Sequence, residues 1–254
     1  MGLRTLIREV PAKMDRPVLI GGLPGLGSVG RIAASFLIRE LGAKRVAALY
    51  SPYFPHYGIV NSKGVVRLPK NDFYYWRSGT NGAELLILTG DCQPQSPRGQ
   101  YEVALKILEY AKSKSVKLIV TIGGYSAEER EVPRVYGATN SYAWMERLKG
   151  LGVEVDVSGV PIVGMAGLIP ALARSKGLDA LCLLGETVGY MPDPKAAKAV
   201  LSVVMGLLGL ELNLSNLDPD IERMAELKAK LREAERRVEG AMRRASGEGP
   251  KYIS

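Results

Sequence analysis

The sequence predicts a three-layer α/β/α domain built on a mostly parallel sheet, with a small inserted β-meander and a coiled-coil-like helix near its C-terminus. Three observations point there. Short runs rich in Leu and β-branched residues recur along the chain, stretches of helical periodicity separate them, and most runs stop at Gly, Ser or Asp. Strands that alternate with helices bring parallel neighbours together, because each crossover returns the chain to the same end of the sheet.

The first buried strand is read at 17–21 (PVLIG), followed by a glycine-rich turn and a helix over 29–41. A second strand, 45–50 (RVAALY), leads into 57–77, where Asn/Gly turn signals sit between β-rich pieces; this is the expected antiparallel meander. Strand 84–89 (ELLILT) precedes a helix over 97–114, whose start is marked by Ser96 as cap and Pro97 as first helical residue. Strand 117–122 (KLIVTI), helix 142–151, strand 153–157 (VEVDV), helix 166–176, strand 180–184 (ALCLL) and helix 194–210 complete the α/β domain, which is expected to span 1–217.

Beyond it, Asp218 and Pro219 open a helix expected over 218–245. Met224, Leu227, Leu231, Ala234, Val238 and Ala241 recur there at alternating spacings of three and four amid Glu, Lys and Arg. That narrow stripe is the a/d seam of a coiled coil, or the packed face of an amphipathic helix on its own domain. Residues 246–254 (SGEGPKYIS) read as a flexible tail.

Hydrophobic residues make up 46% of the 254 and charged residues 24%, which supplies a sizeable core and excludes a disordered or collagen-like body. Cys92 and Cys182 are far apart, and the N-terminus lacks the apolar region of a secretory signal, so a cytoplasmic, reducing compartment is expected. The longest uncharged runs, 46–62 and 157–173, are broken by Pro52, Pro55, Pro161 and Pro170 and fall short of the ~20 apolar residues of a bilayer span.

Thirty-four Lys+Arg against 26 Asp+Glu give a net charge of +8. Residues 1–217 carry 25 basic and 18 acidic groups, whereas 218–254 carry nine and eight, so the surplus belongs to the α/β body. Lys106, Lys112, Lys114 and Lys117 form its densest basic group, at a helix end that suits cations. No zinc-finger, RNP or helix-turn-helix pattern accompanies the charge, so no nucleic-acid partner is expected.

Gly25-Leu26-Gly27-Ser28-Val29-Gly30 has the form GxGxxG after a strand and before a helix, where backbone amides can cradle a pyrophosphate. The next strand ends Leu49-Tyr50-Ser51-Pro52, without the acid that holds a ribose, so close packing of strand, turn and helix is the favoured reading. Asp91 and Gln93 follow strand 84–89 at the end where α/β folds place ligands. Cys92 reads as a small buried thiol, since the single imidazole, His56, lies in a separate aromatic loop. One His and two distant Cys do not make an ordinary zinc site, and no cofactor is expected. Glu186, after strand 180–184, reads as a brace for neighbouring loops or as a catalytic acid. The rival to a binding protein is thus a nucleoside- or nucleotide-binding enzyme with a crevice at Gly25, Gly27, Gly30, Asp91, Gln93 and Glu186.

Six blocks in one order, GGLPGLGSVG (21–30), LILTGDCQP (86–94), IGGY (122–125), VYGATN (135–140), GMAGLIPALA (164–173) and LCLLGETVGYMPDPKAA (181–197), resemble the PAC2 family, the proteasome assembly chaperone domain, in its archaeal form. The resemblance implies an α/β/α domain related to phosphorylase- and hydrolase-like folds, without established catalytic activity. It also implies an ATP-independent chaperone that forms homo-oligomers and binds proteasome α subunits. Such proteins resemble proteasomal ATPases in ending with a hydrophobic residue, Tyr and any residue, whose terminal carboxylate meets a lysine. This chain ends Tyr252-Ile253-Ser254, with Ile253 where the tyrosine is expected and Tyr252 one place early.

Overall fold

The computed structural model describes residues 4–79, 82–155 and 159–245, which divide into two compact units between Leu214 and Ser215. Eight strands of the first unit form one sheet: β1 (Leu6–Glu9), β2 (Val18–Gly21), β3 (Lys44–Tyr50), β6 (Asn71–Arg77), β7 (Glu84–Gly90), β8 (Leu118–Ser126), β9 (Val135–Thr139) and β10 (Ala180–Thr187). A separate two-stranded hairpin pairs β4 (Ile59–Val60) with β5 (Val66–Arg67). The order across the sheet is β1-β3-β6-β7-β2-β8-β10-β9. Its centre, β7-β2-β8-β10, is parallel, and the flanking pairs are antiparallel. The central strands are buried on both faces, which is why they read as unbroken apolar runs.

Helices α1 (Val29–Leu41) and α5 (Pro194–Leu208) pack together on one face, and α2 (Pro97–Ser113) and α4 (Met165–Ala173) on the other. The shorter α3 (Tyr142–Gly150) lies against β9. Ser96 caps α2 by accepting the Gly99 amide at 3.2 Å, and Asp193 caps α5 by accepting that of Ala196 at 2.9 Å; each is followed by proline at the first helical position. On the α2/α4 side, Leu86 and Leu88 of β7 and Phe73 of β6 meet Val103, Ala104, Ile107 and Ala111 of α2.

Helix α4 contains Pro170, which has no N–H for the carbonyl four residues earlier, that of Ala166. The Thr121 hydroxyl donates to this carbonyl at 2.6 Å, so a strand side chain replaces the missing helical bond. The expected helix 166–176 accordingly ends at Ala173 and continues as a 3-10 turn over Arg174–Lys176.

Three expectations are revised. The meander divides, with β4 and β5 forming the hairpin while β6 enters the main sheet between β3 and β7. The edge strands β1 and β9 were not foreseen. Of the expected strand 153–157, Glu154 makes an isolated bridge to Tyr136 of β9, and 156–157 lie outside the described residues; β9 holds the edge position beside β10.

The second unit contains α6 (Asp218–Ala245), with Asp218 and Asp220 in its first turn, where acids suit the positive end of the helix dipole. Arg237 bonds Glu233 one turn before it.

Candidate functional site

The carboxyl ends of β2, β7 and β8 enclose a cavity of about 640 Å3. Its walls are the glycine-rich turn after β2 and the segment 160–166 leading into α4, and β8 lines its base. Gln93 ties the two walls together. Its side-chain NH2 donates to the Pro24 carbonyl at 2.6 Å, and its Oε1 accepts the Met165 amide at 2.9 Å. A glutamine suits both tasks because one amide carries a donor and an acceptor, and Met165 is an N-terminal residue of α4 whose N–H has no intrahelical partner.

The glycines after β2 serve close backbone contact. A Cβ on Gly22 would overlap the Gly30 carbonyl oxygen, and one on Gly30 would overlap that of Ile122 in β8. Gly27 has φ of 58°, in the left-handed region, and lies against Thr187. Its N–H donates to the Gly189 carbonyl at 3.0 Å, its carbonyl accepts the Asp193 amide at 2.8 Å, and the Ser28 N–H donates to Gly25 at 2.9 Å. These bonds engage amides that a pyrophosphate would require. Among the described residues, moreover, no Asp, Glu, Lys, Arg or His lines the cavity.

Of the six crevice residues read from the sequence, Gly25, Gly30 and Gln93 line this cavity, and Gly27, Asp91 and Glu186 do not. Asp91 receives both terminal nitrogens of Arg67 from β5, at 2.5 and 2.9 Å, and the Lys70 amide at 3.0 Å, and so fastens the hairpin to the main sheet. Burial alone would raise its pKa. The Arg67 and Lys70 hydrogen bonds and the guanidinium charge outweigh burial and hold the carboxyl below its ordinary value. Because the folded pKa is depressed, this link stabilises the fold fully above the unfolded carboxylate value of ~3.9 and loses its effect as pH falls through the lower folded value. Asp91→Asn should therefore lower the melting temperature at pH 7 by a few degrees and flatten its fall below about pH 4 in a calorimetric pH series.

Glu186 is buried and braces the segment before β9. Its carboxylate accepts the Arg134 amide and the Tyr136 hydroxyl, both at 3.0 Å, and pairs with Arg130 at 3.3 Å. Burial, followed by the bond to Glu186, raises the Tyr136 pKa. Cys92 is buried, and desolvation pushes its thiol up to about 11; the fully buried Cys182 is pushed up to about 12. Neither sulfur is a thiolate near neutral pH, and His56 sits on the surface.

On α6, Met224 is half-buried, Ala234 is exposed, and Leu227, Leu231 and Val238 are 44%, 44% and 53% exposed. Tyr252, Ile253 and Ser254 lie outside the described residues. Sequence reasoning missed the wall at 160–166. Its signal was the lack of charge across 157–173, which was weighed as a membrane span and not as a pocket wall.

The profile of the PAC2 family matches residues 19–232. The chain is 33% identical over 223 residues to the uncharacterized protein MJ1210 of Methanocaldococcus jannaschii, covering 87% of this chain and 85% of the relative. Among solved structures it is similar to Pyrococcus furiosus PbaB, described as an archaeal proteasome activator, with 39% identity and a TM-score of 0.87 over 91% of this chain and all of that one. It is also similar to PbaA of the same organism, described as an archaeal homolog of proteasome-assembly chaperone, with 28% identity and a TM-score of 0.75 over 94% of this chain and 97% of that one. By the length of the profile match and this identity, the chain belongs to the PAC2 family.

Proposed function

We propose that this protein is an ATP-independent proteasome assembly chaperone or adaptor, which homo-oligomerises and binds proteasome α subunits partly through Tyr252, Ile253 and Ser254. The observation that carries this reading is the 39% identity to PbaB across the whole of that chain. In this reading residues 1–217 form the α/β body, 218–245 the oligomerisation helix and 246–254 the contact tail, and the protein works in the cytoplasm. Further support comes from Asp91, Cys92 and Glu186, whose fastening, burial and bracing suit a body without catalysis.

The half-exposed Leu227 and Leu231 support a helix that meets other copies. Burying the remaining surface of each would contribute about 1 kcal/mol, repeated in every copy. Leu227→Glu together with Leu231→Glu should lower the oligomer mass in light scattering while the α/β body keeps its cooperative melting transition. An unchanged mass would assign the seam to packing within its own subunit or to another partner. The central test is co-purification with proteasome α subunits, with and without the last three residues. Failure of the intact chain to bind would overturn the proposed partner.

A further inference from the structure

The cavity has a property independent of proteasome binding. β2 pairs with β8 only as far as Gly21 and Thr121, and the next residue, Gly22, donates its amide to Leu88 of β7 instead. β8 continues to Ser126, and over 122–126 it pairs with β10 alone. Its other edge has no strand partner there among the described residues.

That edge borders the cavity. Residues 121–126 all line it, six in succession. Side chains alternate across a strand, so a cavity touching one face would meet every second residue; an unbroken run means that it meets β8 edge-on. The faces of the stretch are already covered: Gly123 lies beneath Leu184 and Ala166, and Gly124 against Leu26 and Thr187. A Cβ on Gly124 would come within 2.5 Å of the Leu26 carbonyl. Ile122 is buried with its carbonyl against Gly30, so the approach left open is along the backbone edge of 123–126, where N–H and C=O groups can pair with an added strand.

We propose that this cleft binds an extended, uncharged, apolar peptide segment of a partner protein, which adds as a strand to β8 at residues 123–126. Four residues of strand span about 14 Å. Main-chain hydrogen bonds would supply the register, and Leu23, Leu26, Val163 and Met165 the apolar contacts for alternate side chains. The lack of charge among the described lining residues disfavours an anionic metabolite or a charged peptide. A small hydrophobe would fit the walls but exclude water from an edge it cannot hydrogen-bond, at a cost of about 1–3 kcal/mol for each group left unpaired.

The test is hydrogen–deuterium exchange of the full chain with the capped peptide acetyl-Val-Thr-Val-Thr-Val-amide, alongside anisotropy of a fluorescein-labelled copy. The expected result is saturable binding below about 1 mM, with exchange slowed about fivefold or more within 123–126. The same peptide N-methylated at every residue should not bind. Val163 is 85% exposed, so Val163→Asp should leave the melting temperature unchanged while its charge weakens binding about tenfold. No protection at 123–126 would overturn the proposal. So would equal binding of the N-methylated peptide, which would identify the cleft as a pocket for small apolar molecules.

Discussion

Gly30→Ala is expected to lower the melting temperature by about 10 °C or more, and Gly22→Ala to do the same. On helix propensity alone, alanine at Gly30 should help, since Gly30 lies in α1 and glycine costs about 1 kcal/mol relative to alanine in a helix. Backbone overlap decides the opposite sign. The new Cβ would enter the Ile122 carbonyl oxygen, and that atom belongs to the central strand β8, which cannot swing aside as a surface side chain would. Separating α1 from β8 by an ångström or more also disturbs the fully buried Val29, Ala33 and Leu37. The combined loss is about 4 kcal/mol or more, against a total stability of about 5–15 kcal/mol for a domain. Gly150→Ala provides the control: it ends α3, nothing lies within 4 Å of its added Cβ, and it should raise stability by a few tenths of a kcal/mol. Calorimetry of the three variants separates packing from propensity. A cooperative transition near the wild-type temperature in Gly30→Ala would refute the close-contact account of the glycine turn.

Deleting Tyr252, Ile253 and Ser254 is expected to reduce binding to an α-subunit ring about tenfold for each engaged tail, with oligomer mass and melting temperature unchanged. Tenfold corresponds to 1.4 kcal/mol, a modest figure for an aromatic ring, an aliphatic side chain and a terminal carboxylate seated in a basic groove. Copies held together multiply the effect, because each bound tail raises the local concentration of the next. Surface plasmon resonance against immobilised α rings would measure it. Amidation of the C-terminus isolates the carboxylate, and exchange of Tyr252 with Ile253 asks whether the early tyrosine weakens the contact. Wild-type affinity in the truncated protein would remove the tail from the mechanism and leave the α/β body or α6 to carry the partner.

Much of this architecture could be read from the chain because its signals are local. The bounds of α1, the Ser96–Pro97 start of α2 and the buried central strands follow from capping chemistry and apolar runs. The edge strands were hidden for a physical reason. LIRE in β1 and VYGAT in β9 carry little continuous apolar character, and each is held by pairing with a neighbour far along the chain. Strand β6 reads as part of the 57–77 meander because it follows the β4–β5 pieces in sequence, yet its partners are β3 and β7 of the main sheet. The candidate site was less legible. A GxGxxG pattern does not reveal whether its amides face a ligand or the Gly189 carbonyl, and Gln93 meets Pro24 and Met165 across about seventy residues in both directions.

The place of β2 bears on how the protein is made. Val18–Gly21 is buried throughout, yet its two neighbours, Leu85–Leu88 and Leu118–Thr121, lie far downstream and are synthesised much later. The sheet cannot close around its own centre until Thr121 has been translated, and α4, whose Ala166 carbonyl depends on Thr121, forms later still. Until Leu85–Leu88 emerges, the nascent apolar segment has neither of its native neighbours to pair with. A protein proposed to escort the assembly of others therefore has a central strand that must itself be kept from premature partners.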